Sequence, residues 1–134
     1  MPVADTERLF ALNPNDSKHS AALRALTING LSVPDTAVLE FQVVLRVRGR
    51  KGSEIASAIE SLRYILEDNG VREAHTIDTY LIVKQAELEE KYGLTYFDSL
   101  IAASTLKLDG VVVSDDQAFD RVPHLKRIPL TPKT

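Results

Sequence analysis

The stretch TYFDSLIAASTLKLDGVVVS, residues 95–114, decides the fold class. It predicts a helix over residues 95–108 that stops at Gly110, after which the chain runs at once into Val111-Val112-Val113. Three apolar β-branched residues in a row suit a strand buried on both faces. A helix feeding such a strand is half of a βαβ unit, the repeat from which parallel sheets are built.

Working outward, the alternation continues. Residues 71–75 predict a strand, and 77–92 a helix closed by Gly93. Ser53 and Glu54 open a helix in which Ile55, Ala58, Ile59 and Leu62 recur at helical spacing, and Asn69-Gly70 closes it. Pro34-Asp35-Thr36 starts another, whose apolar run over 37–47 is interrupted only by Glu40, Gln42 and Arg46; it is expected to be largely buried. Strands are expected at 1–4, 31–33 and, at an edge, 126–128, with helices at 7–12 and 17–26. The expected architecture is α/β, a single three-layer α/β/α domain over residues 1–134 around a mostly parallel sheet. Ligands of such sheets sit at the carboxyl ends of the strands.

Composition excludes several chemistries. The chain has no cysteine, so disulfides, thiolate nucleophiles and Cys-ligated zinc are out. Nowhere do eighteen apolar residues run together, and no basic segment precedes an apolar one near Met1, so a cytoplasmic protein without a membrane segment is expected. The formal charge of -3 gives no global basic field for a polyanion. His19, His75 and His124 lack metal-like spacing and read as surface or packing residues. Tyr96 is expected to pack in the core.

Four carboxylates stand beside apolar runs: Asp5, Glu40, Asp98 and Asp116. An ionised group is costly to take out of water unless a cation or donors compensate, so if the four converge, a divalent metal is the natural counter-charge. Each also has a plainer reading. Asp5 suits an N-cap, Thr95 and Asp98 form a possible capping box, and Asp116 or Asp115 can cap a turn over 117–121. Ser114 can bond locally. Glu40 has no such role, because Ala37, Val43 and Val44 are its helical neighbours.

The segments Val3-Ala4-Asp5-Thr6, the Asp35-to-Glu40 block DTAVLE, the Gly93-to-Ala103 block GLTYFDSLIAA and the Val113-to-Phe119 block VSDDQAF together resemble PIN-domain ribonucleases, and in particular the VapC-like toxins of toxin–antitoxin pairs. The resemblance implies the sheet order 3-2-1-4-5, a Mg²⁺ or Mn²⁺ held by acids, and cleavage of RNA, single-stranded or structured. It places the family's acids at Asp5, Glu40, Asp98 and Asp116 as catalytic and metal-binding residues, with Ser114 as its small hydroxyl residue and Thr6 and Asp115 as accessory positions. It also implies an antitoxin protein and a second copy of the chain as partners. Glu7 stands where the family usually has Asn, and Ala118 where it often has a further acid. These departures keep open an alternative, a catalytically inactive PIN-like domain that binds RNA or a protein.

Carboxylates are hard oxygen ligands suited to Mg²⁺ or Mn²⁺. Arg46, Arg48, Arg50 and Lys51 cluster close enough in sequence to hold RNA phosphates, with further cations at Arg121, Lys126, Arg127 and Lys133. An ordinary solvated helix end accounts for the first cluster equally well.

Overall fold

A computed structural model describes residues 1–130, and its elements lie close to the sequence signals. They are β1 (Val3–Ala4), α1 (Thr6–Ala11), α2 (His19–Ala25), β2 (Ser32–Pro34), α3 (Asp35–Val47), α4 (Gly52–Asp68), β3 (Arg72–Ala74), α5 (Thr79–Tyr92), α6 (Tyr96–Leu108), β4 (Val111–Val113) and β5 (Lys126–Ile128), with a 3-10 helix at Gln117–Arg121 before β5. Lys133 lies outside the described residues.

The strands form one sheet in the order β3-β2-β1-β4-β5, and all four pairings are parallel. This is the expected α/β architecture, with every parallel connection made through helix. Val112 and Val113 of β4 and Val3 and Ala4 of β1 are 1% exposed or less, the doubly buried centre that their apolar composition requires. Pro2 precedes β1 without breaking the ladder, because its carbonyl still accepts from the Ser32 amide at 2.8 Å. The chain steps from β1 through β2 to β3 on one side, then returns to the other side of β1 with β4. The strand order reverses there, which puts a crevice beyond the carboxyl ends of β1 and β4.

Helix α6 is the most buried, with every residue of Ser99–Thr105 in the core. Its small residues Ala102 and Ala103 let α5 and α3 approach closely. Helix α3 departs from expectation: only Thr36, Ala37 and Phe41 are buried, and Val47 is 82% exposed. Its carboxyl half borders open grooves, so the apolar run covers one stripe of the core and projects beyond it. Tyr96 also departs, lying on the surface in edge contact with Phe97. As the first residue of α6 it precedes the turn that enters the core. No helix among the described residues is long and apolar enough to cross a membrane.

A polar network fixes α3 relative to β3 and α6. The Asp35 carboxylate accepts from the Thr76 hydroxyl at 2.7 Å and from the amides of Thr76 and Ile77 at 2.8 and 3.0 Å. Thr76 Oγ1 in turn meets Ser104 Oγ, which meets Thr36 Oγ1, in a buried chain of hydroxyls. Replacing one carboxylate that accepts from these three donors and from the Thr36 amide removes four hydrogen bonds, of whose donors the Thr76 hydroxyl keeps Ser104 as a partner, so Asp35→Ala is expected to cost roughly 2–3 kcal/mol in urea unfolding. Glu54→Gln, which removes an exposed ion pair with Arg50, is expected to change stability by less than about 0.5 kcal/mol.

Candidate active site

The register of the sheet builds the site. Ala4 pairs with Val113, so one step beyond the ladder Asp5 stands beside Ser114, and the Ser114 hydroxyl donates to Asp5 Oδ2. The same hydroxyl accepts from the Asp116 amide at 2.9 Å, which folds the β4 exit back towards β1. Glu40 arrives from the second turn of α3 and Asp98 from the first turn of α6. Asp5, Glu40, Asp98 and Asp116 all line one open cleft of about 260 Å³, together with Thr6, Glu7 and Arg48.

The local readings and the convergent one hold at the same residues. Asp5 caps α1 by accepting from the Arg8 amide at 3.2 Å, and Asp116 caps the 3-10 helix by accepting from the Ala118 amide at 2.9 Å. At α6 the cap is Thr95, whose hydroxyl accepts from the Asp98 amide, so the Asp98 carboxylate is not needed for that bond. Capping fixes where these side chains leave the backbone.

Burial and crowding make these acids hard to ionise. Asp5 is pushed up to about 7, chiefly by burial, although its bonds from Ser114 and the Arg8 amide pull the other way. Glu40 is raised by burial, then by the charges of Asp98 and Asp116, against a hydrogen bond from Thr6. Asp98 is raised by burial and then by the Asp116 charge beside it. Arg8, a residue the sequence gave no reason to single out, is only 1% exposed, and burial lowers it to about 10 while the neighbouring Asp5 charge raises it. Among the described residues its Nε has no hydrogen-bond partner and its Nη2 reaches the Ala22 carbonyl at 3.5 Å, so attraction to Asp5 compensates part of its burial.

The remaining predicted positions divide. Thr6 lies in the cleft, its hydroxyl also donating to the Ala37 carbonyl at 3.4 Å. Asp115 turns away, accepting from the Leu130 amide at 2.8 Å and from Lys18 at 2.9 Å. Of the basic cluster, Arg48 lines the cleft, with its guanidinium 4.8 Å from the Phe10 ring centroid. Arg50 pairs with Glu54, the Lys51 amide donates to Glu54, and Arg46 is exposed outside the cleft lining. Beside the cleft, sharing Phe10 and Arg48 with it, runs an apolar groove of about 350 Å³ between α1, α3 and α4. Glu7 and Lys18 were likewise paired only by the fold.

The donors in the cleft are carboxylate and hydroxyl oxygens without imidazole or thiolate, which suits a hard divalent cation. The raised carboxyls point the same way, since they lack a full counter-charge. Among the described residues no three His, Cys, Asp or Glu side chains stand close enough to form a closed ligand set.

A family model for the PIN domain matches residues 3–125. No curated protein matches the chain in sequence. Among solved structures, VapC20 of Mycobacterium tuberculosis, described as a sarcin–ricin loop cleaving toxin, superposes with a TM-score of 0.67 at 20% identity, over 90% of this chain and 93% of that one. VapBC2 of Rickettsia felis, bound to a DNA fragment from its promoter, gives 0.67 at 19%, over 95% and 96%. A toxin–antitoxin complex of Klebsiella pneumoniae gives 0.68 at 16%, over 98% of each chain. At such identities the likeness is one of fold.

The elevated Asp5 carboxyl has a measurable consequence in EDTA. Between its ordinary value of 3.8 and about 7, the folded protein holds a proton that the unfolded chain has released. Stability therefore falls as pH rises through that window, by up to about 4 kcal/mol for a shift of this size. Chemical denaturation from about pH 4 to about pH 8 is expected to show this slope in the wild type and a much flatter one in Asp5→Asn; equal slopes would remove Asp5 as the source.

Proposed function

The chain belongs to the PIN domain family, and we propose that its acidic cleft makes it a Mg²⁺- or Mn²⁺-dependent endoribonuclease, the toxin of a toxin–antitoxin pair. One observation carries this reading: acids from four separate parts of the chain, none of which needs the others for its local structure, line one cleft at the switch point of the sheet. Caps placed for helix stability alone have no reason to share a cleft. The names of the similar structures, a sarcin–ricin loop cleaving toxin, a VapBC2 assembly and a toxin–antitoxin complex, support the same conclusion.

In this reading Asp98 and Asp116 would hold the cation, with Asp5 completing the acidic wall and Ser114 fixing the orientation of the Asp5 carboxylate. When bound, the cation supplies positive charge to the phosphate oxygens and a water acidic enough to attack in line. Glu40, half-buried, raised in pKa and hydrogen-bonded by Thr6, would accept a proton at its carboxylate from an attacking water. Arg48 at the rim pairs with a phosphate next to the scissile one, and Arg46, Arg50 and Lys51 extend the cationic edge. The substrate is RNA, single-stranded at the cut or presented by a structured loop.

We further take residues 1–134 as one PIN-like domain acting in the cytoplasm. An antitoxin segment has the apolar groove between α1, α3 and α4 available to it. A second copy has the exposed side chains Leu39, Ile77, Tyr80 and Val83.

Cleavage of RNA by purified protein freed of any partner is expected with Mg²⁺ or Mn²⁺ and to cease in excess EDTA. Asp116→Asn and Asp98→Asn are expected to lose at least about 100-fold in kcat/KM, or about 2.7 kcal/mol. Asp115→Asn, whose carboxylate faces Lys18 and Leu130, is expected to lose less. Asp98→Asn keeps its backbone bond to Thr95 and relieves repulsion, so its stability in EDTA should equal or exceed that of the wild type. Full cleavage in EDTA would sink the metal mechanism, whereas no cleavage with either metal would favour the catalytically inactive RNA- or protein-binding alternative that Glu7 and Ala118 raise.

A further inference from the structure

The carboxylates of Asp5, Glu7, Glu40, Asp98 and Asp116 line the cleft, and among the described residues Arg48 is the one cation beside them. A guanidinium in such company is expected to fall onto an acid. Among the described residues Lys18, Arg50, Lys107 and Arg127 each sit on a carboxylate, but Arg48 pairs with none. Its partner is an aromatic face instead, its guanidinium carbon lying 4.8 Å from the Phe10 ring centroid. Phe10, in the last turn of α1, is stacked in turn on Phe41, with ring centroids 4.6 Å apart and planes at 30°. Phe41 is anchored in the core, and it precedes Arg48 by two turns on the same face of α3. The root of the Arg48 side chain is fixed as well, because its amide ends α3 on the Val44 carbonyl at 3.0 Å. The side chain beyond that root is exposed.

Resting on the reading of the cleft as a cation site, we propose that Phe10 is a positioning residue acting through Arg48: its ring holds the guanidinium off the carboxylates of the cleft and so leaves those acids open to a divalent cation. A guanidinium is planar, delocalised and weakly hydrated, so it lies on an aromatic face at little desolvation cost. Without that face, its long stem lets it swing towards acids that lack a full counter-charge and attract it strongly. A cation of this chain seated on them would compete with a metal ion for the same oxygens. Leucine at position 10 would keep most of the apolar contact with Phe41 but offer no π face to Arg48. The ring's effect on the cleft is therefore separable from its effect on packing.

Two measurements on the whole chain test this. In the metal-free protein the Arg48 Nε–H proton resonance, assigned by its loss in Arg48→Gln, is expected to lie upfield in wild type because of the Phe10 ring current. In Phe10→Leu it is expected to move downfield, as the guanidinium leaves the ring and bonds to a carboxylate. In calorimetric titration with Mn²⁺, Phe10→Leu is expected to bind roughly three- to tenfold more weakly than wild type. The double variant Phe10→Leu/Arg48→Gln is expected to bind at least as tightly as wild type, because the competing cation is gone. Damage to packing alone would not be repaired by removing a second side chain. Phe10→Tyr, which keeps the aromatic face, is expected to match wild type in both measurements, and Phe10→Met serves if Phe10→Leu does not fold. An Arg48 resonance unmoved by Phe10→Leu would overturn the proposal, as would an unchanged Mn²⁺ affinity in that variant or a loss that persists in the double variant. Absence of Mn²⁺ binding by wild type would instead count against the metal-dependent function, while the Arg48 resonance still decides this inference.

Discussion

The pairing of β1 with β4 is the constraint on which the rest of the site depends. Because Ala4 lies opposite Val113, the first residue beyond each strand, Asp5 and Ser114, must also be neighbours. The contact between them is thus a consequence of sheet register. A slip by one residue would turn the alternation of both strands over and separate the two groups. Val3, Ala4, Val112 and Val113 are buried, so such a slip would bring the wrong side chains into the core. The stability of the sheet centre therefore protects the geometry of the cleft.

The acids show how one residue can serve folding and chemistry together. Asp5 and Asp116 use part of their acceptor capacity to cap the short helices that follow them, and a carboxylate has lone pairs left for another partner. At Asp98 the division is different, since Thr95 supplies the cap and leaves the acid side chain for the cleft. A cap anchors a side chain in a narrow range of directions, so these acids enter the cleft already oriented. The cost is electrostatic. Burial and like-charge neighbours hold Asp5, Glu40 and Asp98 above their ordinary range, and the fold offsets only part of this with Arg8 behind the cleft and Arg121 near Asp98. A protein that keeps such a cleft in its metal-free state gives up stability there.

The charged surroundings of the cleft differ on its two sides. Near α1 and the β4 exit, Lys18 ties down Glu7 and Asp115. Near the end of α3, Arg48 stacks over Phe10 and faces both the cleft and the apolar groove. One edge is thus closed by internal ion pairing while the other presents a guanidinium to the outside. An anion approaching the cleft meets positive charge first on the Arg48 side.

Much of this was legible in the sequence because the relevant signals are local. The triplet Val111-Val112-Val113, the stops at Gly93 and Gly110, and the cap residues Asp5 and Thr95 act through neighbours a few positions away, so strand and helix positions could be read from spacing alone. The order of the acids along the chain, together with the resemblance it carried, pointed to the sheet order and to which carboxylates would meet. Local periodicity misjudged α3, since an apolar run tells which residues prefer burial and not how much of the helix the rest of the molecule covers. It was silent about Arg8, whose burial depends on α2 packing over α1, and about Lys18, whose partners lie 11 residues away in Glu7 and far along the chain in Asp115. The sequence by itself determined the elements and the supply of carboxylates, because helix caps, glycine stops and β-branched runs are short-range physics. Only the tertiary structure decided which charges face each other, because strand register and helix packing bring together residues that no spacing rule connects.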